Sequence, residues 1–208
     1  MESNWAADHL QVIRTLMERS ALYRRALAPI MTYNGVIGVA AGLGGWAAKI
    51  DTNRGFVAYW SCVGLAALGG SFFLVRRQAL KEAEPFWSPP TRRVAQALMP
   101  ALFAGSIAGL LTLLCPSWDF LPVGSLPAFW MLIYGCALTA AGFFMHRGMK
   151  LLGWLFILAG CTVMAIHCPA LTNIPAINGH CLMGAIFGGL HLAYGVYLYF
   201  TEQRRNEA

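Results

Sequence analysis

The sequence predicts an all-α integral membrane protein: a six-transmembrane-helix bundle, preceded by a cytoplasmic amphipathic helix, with both termini cytoplasmic. Three observations predict it. Of the 208 residues, 58% are hydrophobic and only 12% charged, about half the charge of a soluble domain, and mean hydropathy is +0.56. Six stretches reach the roughly 20 apolar residues needed to cross the hydrocarbon core. The stretches are continuous rather than alternating, which excludes a membrane barrel and leaves helices as the way to satisfy the backbone in lipid.

Residues 1–28 read as an interfacial amphipathic helix. Leu10, Ile13 and Met17 recur at helical spacing, and so do Trp5, Val12 and Leu16, with Arg14, Glu18, Arg19 and Arg25 facing elsewhere. No short apolar core with a cleavage site precedes the first span, so that span is expected to serve as the targeting signal. Residues 29–200 form a single membrane domain, with spans expected at Pro29–Ala48, Gly55–Val75, Val94–Cys115, Leu126–Met145, Gly148–His167 and Gly179–Phe200. Residues 201–208 are a cytoplasmic tail.

Charge orients these spans. Thirteen of the fifteen Lys and Arg fall before the first span, between the second and third, between the fourth and fifth, or after the sixth; Lys49 and Arg54 stand alone on the other side. Excess Lys and Arg in short loops marks the cytoplasmic face. The net charge of +6 is therefore a topology signal with some attraction to anionic headgroups, and nucleic acid is not an expected partner. A bacterial inner membrane is the simplest location.

Small residues at helix-packing spacing, Gly38 with Gly42, Gly105 with Gly109 and Gly184 with Gly188, let backbones approach closely. They serve packing within the bundle or a homodimer through a Gly-rich face. Cys62, Cys136 and Cys161 read as small buried residues of the bundle.

Several side chains carry more chemistry. His167-Cys168 closes the fifth span and His180-Cys181 opens the sixth, so two imidazoles and two thiols lie at the mouth of one hairpin. Such a donor set suits zinc or copper, and His167 with His180 is the one pair placed for haem. A Cys168–Cys181 disulfide is the simpler expectation in an oxidising compartment, and no cofactor is required. His191 lies near the middle of the sixth span, eleven residues after His180, which puts both on nearly one face of an ideal helix. Asn34 opens the first span. Intramembrane polar groups are functional candidates, though a histidine bonded to a carbonyl or a neighbouring hydroxyl, and an asparagine joining two helices, are the simpler states.

The connection over residues 76–93 holds Phe86, Trp87, Arg92 and Arg93 between prolines that favour extended backbone. These four are candidate contacts for a cytoplasmic partner or an aromatic and basic belt at the headgroups. There is no phosphate loop, HExxH, nucleophile elbow or paired acid, which argues against an enzyme. No carboxylate lies in a span, which argues against ion-coupled transport. The leading expectation is a non-enzymatic protein that senses the membrane or meets a partner through its cytoplasmic helix and the 76–93 loop. A small-solute transporter or channel is the alternative, and a metal- or haem-binding protein the third.

Overall fold

In the computed structural model, the described residues are 27–81, 86–115, 125–145, 147–167 and 177–206; the expected N-terminal amphipathic helix falls outside them except for Leu27 and Ala28, which are part of the first membrane helix. They are all-helical. We number the helices α1 (Leu27–Ala47), α2 (Asn53–Lys81), α3 (Pro89–Leu114), α4 (Leu126–Ala141) and α5 (Arg147–Ile166). The last helix, α6, runs through an α turn Gly179–Leu182, a π segment Met183–Gly188 and a second α stretch Gly189–Asn206. Five of the six are long and apolar enough to cross a membrane; α4 is apolar but has 16 residues.

Two glycine seams hold the bundle. Gly35, Gly38, Gly42 and Gly45 of α1 face Leu192, Gly188, Gly184 and His180 of α6 in antiparallel order, and a Cβ at Gly38 would lie 2.7 Å from the Gly188 Cα. Two of the three expected glycine pairs thus meet each other inside the chain. The third, Gly105 with Gly109, is covered by Trp130 of α4, whose indole N–H donates to the Gly105 carbonyl at 3.1 Å. The second seam joins α4 to α5. A Cβ at Gly135 would meet the Gly153 carbonyl, one at Gly153 the Thr139 amide, and one at Gly160 the Ala128 carbonyl. On α5, Gly153 and Gly160 stand at seven-residue rather than four-residue spacing, which suits the same close approach in shallowly crossed helices.

The α1–α2 hairpin closes in a tight cap. Ile50 N–H donates to the Gly45 carbonyl and Lys49 N–H to the Trp46 carbonyl, a Schellman arrangement with Lys49 left-handed (φ 52°). Further along, α2 overshoots the expected span, because Arg76–Lys81 contains only good helix formers and nothing that breaks the turn. The helix is about 44 Å long at 1.5 Å per residue, against a core of roughly 30 Å. The expectation of an extended, proline-stiffened connection fails at its far end as well. Pro89 and Pro90 are the first residues of α3, with Ser88 at the N-cap position; proline suits the first turn, where its missing N–H costs no intrahelical bond. α4 stops at Ala141 instead of running to Met145, because Gly142–Met145 are spent on reversing the chain into α5.

The outward surfaces are apolar. On α2 Leu65, Leu68, Phe72 and Phe73 are exposed, and on α3 Phe103, Leu110 and Leu114. Outward hydroxyls bond their own helix, Ser106 to the Leu102 carbonyl and Thr162 to the Leu158 carbonyl, each at 2.8 Å. Both features belong to helices solvated by lipid, and the chain has the build of a multi-pass membrane protein. Cys62, Cys136 and Cys161 lie on this outer surface. The expectation that they are buried is corrected: their helix faces point away from the bundle, and a thiol is apolar enough for that surface.

Candidate functional site

Asn178 starts α6 by accepting the His180 and Cys181 N–H groups on its side-chain oxygen, a standard N-cap. His180, two residues on, is 2% exposed. Its ring enters the space left by the missing side chain of Gly45. The Trp60 indole N–H donates to Nδ1 at 3.1 Å, and Nε2 lies 3.0 Å from the Ile50 carbonyl. An indole can only donate and a carbonyl can only accept. The partners therefore fix a neutral imidazole protonated at Nε2. Phe56 (4.8 Å between ring centroids), Tyr59 (5.5 Å) and Trp60 (6.1 Å) enclose it. This one ring ties the start of α6 to the α1–α2 turn.

His191, 4% exposed, forms a second centre. Its Nδ1 lies 2.7 Å from the Phe187 carbonyl and its Nε2 2.7 Å from the Tyr134 hydroxyl. The carbonyl can only accept, so the proton is on Nδ1 and Tyr134 donates to Nε2. Phe156 of α5 packs on both rings, 5.0 Å from Tyr134 and 5.3 Å from His191. The two histidines do not share a face. His180 meets the α1–α2 hairpin, whereas His191 meets α4 and α5. The cause is the π segment between them, whose turn holds about one residue more than an α turn and sets the following helix back by about 100°.

Asn34 and Ser71 join α1 to α2 by an amide–hydroxyl pair at 3.1–3.2 Å. Beside them the Tyr33 hydroxyl donates to the Ala66 carbonyl at 3.0 Å, and its ring lies where a Cβ on Gly70 would be. Both contacts are interhelical joints.

The four hairpin-mouth residues are not brought together as a donor set among the described residues. Cys168 lies outside them, Cys181 is exposed, and His180 spends both ring nitrogens on Trp60 and Ile50. His167 at the end of α5 holds the Val163 carbonyl through Nδ1 at 2.8 Å; its Nε2 is buried without a partner among the described residues. Zinc, copper or haem at His180 would have to displace one of its two hydrogen bonds. No group of three His, Cys, Asp or Glu able to hold a metal ion occurs among the described residues.

At the opposite end of the bundle, Phe86 packs edge-on against Phe72 of α2 at 5.0 Å and stacks with Trp87 at 6.3 Å. Trp87 is 59% exposed, and Arg92 and Arg93 are exposed on the first turns of α3. The aromatic pair is thus mounted between two helix ends.

Sequence reasoning missed Trp60 and Tyr134, the partners that define the two histidine centres. They lie 120 and 57 residues from their histidines, and no local spacing links them.

By build, then, this is an all-helical multi-pass membrane protein with two histidine-centred joints inside and an aromatic, basic end. No family model matches the sequence, and comparison with curated proteins and with solved structures returns no match.

Proposed function

We propose that the chain is a six-span protein of a bacterial inner membrane, both termini cytoplasmic, that works without catalysis by binding a cytoplasmic partner at its basic end. The observation that carries this reading is the exposed Trp87, stacked on a Phe86 that is itself fixed against Phe72. A large aromatic held in one place loses little entropy on binding, and Trp and Arg dominate contact energies at protein interfaces. Arg92 and Arg93 one turn away would suit an acidic partner surface, with the segment over residues 1–28 as a second contact.

The internal polar groups support this over a solute path. Asn34, His180 and His191 are each paired within the bundle, and each bond would have to break for the group to meet a passing solute. The test is co-purification in mild detergent from the native membrane. The wild-type protein is expected to retain a soluble protein that the Trp87→Ala, Arg92→Glu, Arg93→Glu variant loses, with both inserted equally. A photo-crosslinker at position 87 that captures lipid alone would reassign Trp87 to the headgroup belt and reject the proposal.

A further inference from the structure

The α4–α5 turn combines three features that the partner reading does not use. Gly142 leaves room for the Lys150 stem, since a Cβ there would lie 2.6 Å from the Lys150 Cγ. The Lys150 ammonium stands 3.7 Å above the Phe143 ring centroid, so it is held in place by a cation–π contact rather than waving free. Arg147, exposed, lies three residues earlier on the same side of α5.

The surface that continues from these two cations is apolar. Leu151, Trp154, Leu155 and Leu158 are all exposed and recur at one-face helical spacing down α5. Phe143 (73% exposed) and Phe144 lie exposed at the turn itself. The 16-residue α4 spans about 24 Å, less than a hydrocarbon core of roughly 30 Å, which draws this turn into the headgroup layer. Asp51, the one acid with a described side chain, is in the α1–α2 turn at the far end of the bundle.

We propose that this corner binds one anionic phospholipid, its phosphate held by Arg147 and Lys150 and an acyl chain laid along Leu151, Trp154, Leu155 and Leu158. Two cations at the head of an apolar stripe match a phospholipid in charge and in shape. A free phosphate would use the cations and leave the stripe uncovered.

The experiment is native mass spectrometry of the full chain in mild detergent, titrated with phosphatidylglycerol or phosphatidylcholine of matched acyl chains. One phosphatidylglycerol should be retained in preference to phosphatidylcholine. Replacing both cations (R147Q/K150Q) should weaken that retention about 30-fold, at roughly fivefold per cation near a membrane surface. Phe143→Leu keeps both charges but frees the ammonium, and should weaken it about threefold. Removing two cations elsewhere at the same end (R76Q/R77Q) should change it little. Equal retention in R147Q/K150Q, equal loss in R76Q/R77Q, or displacement by millimolar inorganic phosphate would each overturn the proposal. The first would show that the cations are idle, the second that charge acts diffusely, and the third that the stripe is not part of the site.

Discussion

Tyr134 and His191 are mutually dependent because each is the other's partner in a dry interior. Removing the Tyr134 hydroxyl leaves His191 Nε2 buried with nothing to accept from, and an unpaired buried group costs more than the bond contributed. Tyr134→Phe is therefore expected to lower stability by about 1 kcal/mol, read as earlier thermal unfolding in detergent. Replacing both partners (Y134F/H191F) removes the unpaired nitrogen along with the bond. That double variant should recover part of the loss, and a double variant worse than the sum of the singles would contradict the pairing. Half of this chemistry was legible in the sequence. A mid-span histidine must find a carbonyl or a hydroxyl, and His191 uses one of each. The identity of Tyr134 was not legible, because only the packing of α4 on α6 brings it within reach.

At the scale of elements, glycine position decides tolerance. Gly42 faces the Gly184 backbone, whereas a Cβ on Gly69 would meet nothing within 4 Å. Gly42→Leu is expected to cost about 3 kcal/mol by forcing α1 from α6, and Gly69→Leu on the outer face of α2 to cost about 0.5 kcal/mol or less. Circular dichroism melts of the two variants side by side check this contrast. The π segment is the other element-scale device. Deleting Ala185, which is exposed, would let Met183–Gly188 relax to α geometry while keeping the angle between His180 and His191, because the residue removed is the extra one that the wide turn absorbs. Both histidine joints can still form in the deletion, whereas a second alanine inserted after Ala185 would rotate His191 away from Tyr134 by about 100° and should melt far earlier. Equal melting of the deletion and the insertion would show that the π segment does not set the register. Hydropathy carried the helices but not this segment. An inserted π turn leaves composition unchanged, and the reading of both histidines on one face assumed an ideal helix.

For the whole molecule, relative placement follows from the seams, and orientation needs its own test. Gly195 of α6 lies against Thr32 of α1, so the chain enters α1 and leaves α6 at one end. That end also holds Arg76, Arg77 and Lys81 at the finish of α2 and Arg92 and Arg93 at the start of α3. Helical character and apolar length could be read from the continuous apolar runs, because the other structure that satisfies its backbone in lipid, a closed barrel, needs alternation. The finish of α4 could not, since Phe143 and Phe144 look like span residues to any hydropathy count and are used in the turn. The short α4 makes the span count the question on which orientation depends. In a variant without native cysteines, single cysteines at Lys49, Trp87 and Arg147 sample three connections. With six spans and a cytoplasmic basic end, a membrane-impermeant maleimide on intact cells should label Lys49→Cys at once, and Trp87→Cys and Arg147→Cys only after lysis. If α4 fails to cross, Arg147→Cys changes sides while Trp87→Cys does not. Labelling of both from outside would instead invert the whole protein. The closeness of the α4–α5 seam, with Gly135, Gly153 and Gly160 all against backbone or side chains of the partner helix, is why the six-span outcome is expected. Two helices packed antiparallel along most of their length cannot have one lie on the surface while the other crosses.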